Sequence, residues 1–541
     1  MTDKKTQLNL AGDNAGNPTL VWHGEENQLF PDLSGIKKCL MAFDLPLFAV
    51  RAADGLKFTN SGELASPNGK PANLAGWLPP MLTLAMGDPL FCSTYHVKAA
   101  YYAGGMANAI ASEEMVIALA KEGLMGSFGS GGLSPDRLTK AVETIQTAVP
   151  EGPYMFNLLH NPFEPEIEQR TVEIYLDHNV RVVEAAAYLS LTHALVQYRA
   201  SGLSRSNSGE VVIENHVIAK LSRREIALHF LNPAPQKILS ELVSVGKISQ
   251  EQAELAAHVP MADDITVEAD SGGHTDNQPL VSLLPSIIAL RDRTQAENRF
   301  ETKVRIGAGG GISTPESVLG AFMMGAAYVV TGSVNQACVE SGASEHTRKI
   351  LADADMADVS MAPSADMFEQ GSRVQVLKKG TLFPMRAQKL YDIYMAYSAI
   401  EEMPAAVKNE LETRVFMRSM EQIWQDTREF FSQRNPEMIT KAEQNPKKKM
   451  ALIFRWYLGL ASRWSRDGVE DRRMDYQIWC GPSMGAFNEW ARGTYLEEYS
   501  NRHVADVAWQ LMQGCAYAYR VAALRMQGVQ VPAEIAAYRP D

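Results

Sequence analysis

Cysteine is scarce in this chain: five residues in 541 (Cys39, Cys92, Cys338, Cys480 and Cys515), far apart and with no CxxC pair. That spacing excludes a disulfide framework and a zinc ribbon. No run of 18 apolar residues occurs, so no membrane-spanning helix is expected. The start, MTDKKTQLNLAGDNAGNP, lacks the apolar stretch of a secretory signal. Basic residues are outnumbered 51 to 63, for a net charge of −12. Such a chain is a poor partner for nucleic acid or an anionic membrane. Also missing are a Walker loop, an H-E-x-x-H pair and any His/Cys/Asp grouping at metal-ligand spacing, so no metal is expected. What is present is 46% hydrophobic and 21% charged residues, the balance of a core-forming protein. The length calls for two or three domains, and the expectation is an acidic, cytoplasmic, multi-domain protein.

The patterning changes along the chain. Residues 1–80 read as an N-terminal extension: a polar start, a strand-like CLMAFDLPLFAVR (39–51) and a loop-like FTNSGELASPNGKPANLAG (58–76). From 81 to 340, short apolar runs alternate with amphipathic helical stretches. MLTLAM (81–86) and YYAGGMA (101–107) supply the first strand region, and LMGSFGS, PYMFNLL, RVVEAAAY, VIAKL, DITVEADSGGH, VRIGAGGGI and AYVVTGS supply the next seven. Helix starts are marked by Ser112 and by Ser134-Pro-Asp. Eight strand–helix units over about 250 residues predict a closed parallel (β/α)8 TIM barrel of the α/β class. A doubly wound open sheet is the alternative. Residues 341–541 carry long helical patterns at 385–403, 407–433 and 502–527 and read as a C-terminal helical domain. Their Met and aromatic stripes are core packing, and NPKKKM (445–450) reads as a solvated helix end.

In such a barrel the chemistry sits where the strands end. Gly309, Gly310 and Gly311 of GAGGGI, with Gly332 and Ser333 of TGS, close the last two strand runs. Glycine lets backbone N–H groups approach an anion, and a following helix end adds positive potential, so this pair predicts a phosphate site. Two tight turns without a ligand are the plainer reading. Gly272, Gly273 and His274 of SGGH end the sixth run. A histidine there can donate a proton or bind a carbonyl, where the plainer reading is an imidazole satisfied by backbone. Asn157 ends the apolar MFNLL and Lys220 interrupts VIAKL. A carboxamide suits the edge of a flavin ring and a lysine its anionic edge; a turn-capping Asn and an ion-paired Lys are the alternatives. Gly105, Met106 and Ala107 of GGMA would lie under a flat ring, or simply turn the chain. Cys338 reads as a buried cysteine and not a nucleophile.

GGMA, FNLL, SGGH, GAGGGI and TGS, in this order, resemble the flavin-dependent barrels of the nitronate monooxygenase and enoyl-reductase type. That family usually writes its sixth-strand motif EAGGH; here it is DSGGH, with Asp270 and Ser271. The strings at 86–133 and 259–280 look closer still to the trans-acting (PfaD-type) enoyl reductases of polyunsaturated fatty acid and polyketide synthases, and the likeness covers nearly the whole chain.

The resemblance implies FMN in the barrel and NADPH as hydride source. It implies reduction of an enoyl thioester on the acyl carrier protein domains of a multidomain synthase. Gly310, Gly311, Gly332 and Ser333 would hold the FMN phosphate, Met106 and Asn157 would line its ring, and His274 would be catalytic. A homodimer is left open. Carrier docking would need a basic face, such as Arg455, Arg463, Arg466, Arg472 and Arg473, or Arg373, Lys378, Lys379, Arg386 and Lys389; ordinary solvated charge is the alternative. Competing functions are oxidation of an alkyl nitronate by FMN and oxygen, and a non-catalytic barrel that scaffolds a synthase.

Overall fold

The computed structural model describes residues 20–66, 73–81, 86–160 and 164–541. The expected polar start (residues 1–19) and most of MLTLAM lie outside the described residues. The chain divides into two compact units, one of Met1–Thr83 with Cys515–Tyr538 and one of Leu84–Gly514 with Arg539–Asp541.

The first unit corrects two readings. CLMAFDLPLFAVR is not one strand: the helix Leu33–Met41 ends inside it, and the strand Leu47–Ala52 begins after a turn. Nor is the stretch from 58 to 76 a loop throughout. Gly55–Thr59 and Leu74–Leu78 flank Leu47–Ala52 in a three-stranded sheet, and Glu63–Ala65 pairs with Val21–His23. The buried Arg520 guanidinium donates to the carbonyls of Cys39, Leu40, Ala42, Phe43 and Leu45 at 2.7–3.2 Å. Of these, the Cys39 and Leu40 carbonyls belong to the last turn of the helix, which leaves them without intrahelical partners.

In the second unit eight parallel strands close a barrel: β1 Tyr101–Ala103, β2 Met125–Phe128, β3 Tyr154–Leu159, β4 Val182–Ala186, β5 His216–Leu221, β6 Asp264–Glu268, β7 Arg305–Gly309 and β8 Val329–Thr331. Each strand pairs with its sequence neighbour, and β8 closes on β1 through Val329↔Tyr101 and Thr331↔Ala103. The strands are near-continuous apolar runs because both faces are covered. Helix starts fall where the caps predict: Ser112 accepts from Met115 N at 3.1 Å, and Ser134 from Arg137 N. Phe91, Tyr95, Met125, Met155, Ile218 and Tyr328 belong to one packed apolar cluster. Tyr102, Thr266 and Tyr328 link their hydroxyls across the barrel interior at 2.8–2.9 Å. Two helices between β5 and β6, Gln236–Ser244 and Gln250–Ala256, and the hairpin Leu203–Arg205/Val211–Ile213 lie outside the simple strand–helix alternation.

The chain after the barrel is not purely helical. Val359–Pro363 and Arg373–Leu377 form an antiparallel pair. The helical pattern at 407–433 is broken at Met417 (φ 54°), after which Ser419 caps a new helix, Met420–Arg434. NPKKKM opens the helix Pro446–Asp467; it is not a solvated end. Lys447 donates to the carbonyls of Tyr394 and Tyr397, and Lys448 pairs with Glu369 at 2.8 Å. The Met and aromatic stripes pack together as a core of their own, which includes Phe368, Phe383, Phe416, Phe454 and Tyr457.

Candidate active site at the barrel mouth

One cavity of about 730 Å³ opens at the C-terminal ends of the strands. Gly105, Met106 and Ala107 after β1, Asn157 on β3, Lys220 on β5, Gly272, Gly273 and His274 after β6, Gly309, Gly310 and Gly311 at β7 and Gly332 and Ser333 after β8 all line it. Residues scattered over 229 positions of sequence (105 to 333) are thus gathered by the parallel winding of the barrel.

The glycines differ in what they do. Gly310 has φ 77°, and a Cβ there would meet the backbone of Ala269 at 2.7 Å. Gly311 is also left-handed, but a Cβ on it or on Gly332 would meet nothing within 4 Å. These last two leave room beside the backbone at the cavity wall. The segment after β8 is a single turn, Ser333–Gln336. It is too short to add the helix-end potential that the sequence led us to expect, so any anion there would rest on backbone groups and on Ser333. The Ser333 hydroxyl accepts from Gly481 N at 3.1 Å.

Beneath the cavity lies a group that sequence reasoning missed. Glu184, 0% exposed, accepts from Gly105 N and Ser127 Oγ at 2.8 Å, from Tyr102 OH at 3.2 Å and from Asn157 Nδ2 at 3.4 Å. It orients both the GGMA turn and Asn157. A Cβ on Gly105 would lie 2.6 Å from its carboxylate. Lys220 stands 3.3 Å from Glu268 and 3.9 Å from Glu184. Burial disfavours its charge, but Glu268 and then Glu184 outweigh this and hold the ammonium above its usual pKa. Lys220 is therefore ion-paired and also faces the cavity.

His274 is 49% exposed at its side chain, and its Nε2 lies 2.9 Å from Asp366. Burial lowers its pKa, but the hydrogen bond and charge of Asp366 raise it by more, and the net direction is upward. Asp366, despite a burial effect of the opposite sign, is held down at about 2 by the same pair. Asp366 comes from the loop between the two strands that follow the barrel. That region also supplies Met361, Met367 and Arg373 to the cavity wall, which Trp479 and Ser483 extend. It is fastened to the SGGH loop by a backbone bridge: Gly273 N donates to Gln375 O at 2.9 Å and Gln375 N to Gly273 O at 2.7 Å. The Gln375 amide donates to Asp270 Oδ1 and Ser271 O, both at 2.8 Å. A Cβ on Gly272 would lie 2.7 Å from Cys480 N. The second glycine pair thus serves close packing as much as access.

Cys338 is fully buried, and burial pushes its thiol well up, which makes it inert. Most of the suggested docking cations have internal partners: Arg455 with Glu369, Arg466 with Asp467, Arg473 with Glu470, Lys389 with Glu410 and Arg386 with Asp475. Arg472 is buried on Asp475 and the carbonyls of Val415 and Phe416, so it is no docking residue. Among the described residues there is no His/Cys/Asp/Glu group that could hold a metal ion and no helix long and apolar enough to cross a membrane.

A closed eight-stranded parallel barrel with its cavity at the C-terminal mouth defines the class as a (β/α)8 barrel. Three family models match the chain: the N-terminal domain of fatty acid synthase subunit PfaD over residues 22–78, nitronate monooxygenase over 92–411, and the inserted helical domain of acyl-carrier-protein S-malonyltransferase over 397–476. A polyunsaturated fatty acid synthase subunit of Thraustochytrium sp. is 46% identical over 501 residues, 91% of this chain and 33% of that protein. Polyketide biosynthesis protein PksE of Bacillus subtilis is 46% identical over 429 residues, 79% of this chain and 56% of that protein. The chain thus spans a third to somewhat over half of these two relatives. The crystal structure of the enoyl reductase domain of MlnA, from the macrolactin biosynthesis cluster of Bacillus amyloliquefaciens, superposes with a TM-score of 0.77 at 40% identity, covering 82% of this chain and 99% of that one. The chain belongs to the nitronate monooxygenase family, and within it to the PfaD-type group of these synthase subunits and the MlnA domain.

Proposed function

We propose that this chain reduces the 2,3 double bond of enoyl thioesters carried on acyl carrier protein, with FMN bound in the barrel and NADPH as reductant, in trans to a polyunsaturated fatty acid or polyketide synthase. The observation that carries this reading is the convergence of the thirteen sequence-selected residues on one cavity. The family group, which includes an enoyl reductase domain, supports it.

The donor set fits a flavin nucleotide. Open backbone at Gly311 and Gly332 beside Gly310 and Ser333 would receive its phosphate. Gly105, Met106, Ala107 and Asn157 would line its ring, with Lys220 beside them. A bound flavin supplies hydride transfer from NADPH to an acceptor.

His274 holds a proton. With Nε2–H on Asp366, the nitrogen left over is Nδ1, and a raised pKa keeps it protonated towards neutral pH. A protonated imidazole is suited to stabilise negative charge on a thioester oxygen or to deliver a proton to the α-carbon.

The test uses purified protein. It should carry a yellow chromophore, bleach under NADPH without oxygen and recolour on adding a crotonyl thioester. His274→Ala should keep the colour and the bleaching and lose the recolouring. Protein that stays colourless in excess FMN would overturn the reading.

A further inference from the structure

The cavity has a wall that the cofactor reading does not use. It runs along the ends of β3 and β4 and includes Leu159, His160, Tyr188, Leu189 and, from the helix after β5, Ile226. Leu189 is 63% exposed and Leu159 38%, so two large apolar side chains are left uncovered at the rim of a concave site. Uncovered apolar surface in a cavity marks where a ligand lies.

One polar group interrupts this wall, and it is built with care. His160 Nδ1 lies 2.8 Å from Oε2 of Glu168, a carboxylate only 3% exposed. The other Glu168 oxygen accepts from Tyr188 OH at 3.0 Å and from Thr192 Oγ1. With three donors around it, Glu168 fixes the His160 proton on Nδ1. The Tyr188 ring stacks on the imidazole, centroids 5.2 Å apart and planes within 24°. The orientation is thus held from two sides. Nε2 has no partner among the described residues, and it belongs to a residue that lines the cavity. In the neutral ring it is an acceptor with an open lone pair.

An acceptor set in an apolar wall selects a ligand with an N–H donor on an otherwise apolar, extended body. The pantetheine arm of any carrier-bound thioester has that chemistry: secondary amides along a flexible chain. We propose that the β3–β4 wall is the subsite for the thioester's pantetheine arm, and that His160 Nε2 accepts an amide N–H from it. This rests on the enoyl-reductase reading above and assigns one partner group within it. His160 is a substrate-binding residue here, and Glu168 is the positioning residue that sets its tautomer.

The experiment compares crotonyl-pantetheine with S-ethyl crotonothioate, which lacks the amides, in wild-type protein and in His160→Ala. In wild type, KM for the amide-bearing thioester should be about three- to tenfold lower, the range of one neutral hydrogen bond. His160→Ala should abolish most of that ratio by raising KM for crotonyl-pantetheine, with a smaller change in KM for the amide-free thioester. His160→Gln, whose amide oxygen can still accept, should restore part of it. Calorimetric binding of saturated butyryl-pantetheine, measured on the same proteins without NADPH, should show the same loss and partial rescue. An unchanged ratio in a folded His160→Ala protein overturns the assignment. If wild type reduces neither thioester, the enoyl-reductase reading falls, while the calorimetric comparison still decides His160.

Discussion

His274 and Asp366 face each other at 2.9 Å, one from the loop after the sixth barrel strand and the other from the strand pair that follows the barrel. The imidazole that a sequence motif points to is therefore held by a carboxylate that no motif announces. Asp366 raises the histidine's pKa above its ordinary 6.5, against the lowering effect of burial.

Removing that carboxylate should move the alkaline limb of activity. If protonated His274 is the active form, the rate of thioester-dependent recolouring falls as pH rises through its raised pKa. Asp366→Asn should shift this limb to lower pH, and pre-steady-state rates from pH 5 to 9 would read the shift. The pair's stability contribution has its own window. The Asp366 part is lost as pH falls through about 2. The His274 part is present below the ordinary value of 6.5 and fades as pH rises through the folded value. Both side chains are about half exposed, so solvent screening limits the pair to about 0–1 kcal/mol.

Lys220 gives a pH-dependent prediction of its own. It is the cation set between Glu184 and Glu268. Lys220→Met leaves two carboxylates without it, one of them fully buried, and should cost about 3–5 kcal/mol at pH 8. The folded variant would then bind protons more tightly than the unfolded chain, so stability should recover as pH falls. Urea denaturation at pH 8 and pH 5.5 checks both the size and the sign.

Gly310 and Gly332 can be separated experimentally. Gly310→Ala forces a left-handed alanine against the Ala269 backbone and should lower stability by about 1–2 kcal/mol from the conformation alone. Gly332 has φ −129° and open space where a Cβ would go. Gly332→Val should lower the melting temperature less than Gly310→Ala does and weaken flavin uptake, measured by fluorescence titration. Equal flavin affinity in Gly332→Val and wild type would remove this glycine from the cofactor site.

The barrel was legible because its signals are local. Apolar runs, Ser and Thr caps and glycines at strand ends each depend on a few neighbouring residues. The candidate site was half legible for the same reason: GAGGGI, SGGH and GGMA announce themselves by glycine. Glu184 could have been found by the argument applied to Lys220, since VVEAAA places a carboxylate in an apolar strand just as VIAKL places an ammonium. Asp366 and Gln375 had no such signal. Asp366 lies 92 residues beyond His274 in the chain and Gln375 102 beyond Gly273, and only the fold brings each to its partner. The strand pair that flanks Asp366 and carries Gln375 was hidden because each strand is five residues long in a stretch dominated by helical periodicity.

Gln375 joins the two regions by side chain as well as backbone, and the two contributions can be told apart. Gln375→Leu keeps the backbone bridge to Gly273 but removes the donors to Asp270 and Ser271 O. The loss should be about 1–3 kcal/mol, the cost of leaving buried acceptors unpaired. Asp270 would still receive Asn277 Nδ2 at 2.8 Å, so the low end applies if that bond persists. Gln375→Glu puts a carboxylate in the same 5%-exposed position beside Asp270. Two like charges there raise each other's pKa, so the folded state would bind the extra proton. This variant should be less stable than Gln375→Leu at pH 8 and overtake it in acid, as the new carboxyl becomes a donor to Asp270 in place of the lost amide. Thermal melts of both variants across pH 4.5–8 should therefore cross; parallel curves would mean that the amide of Gln375 does not hold the SGGH loop.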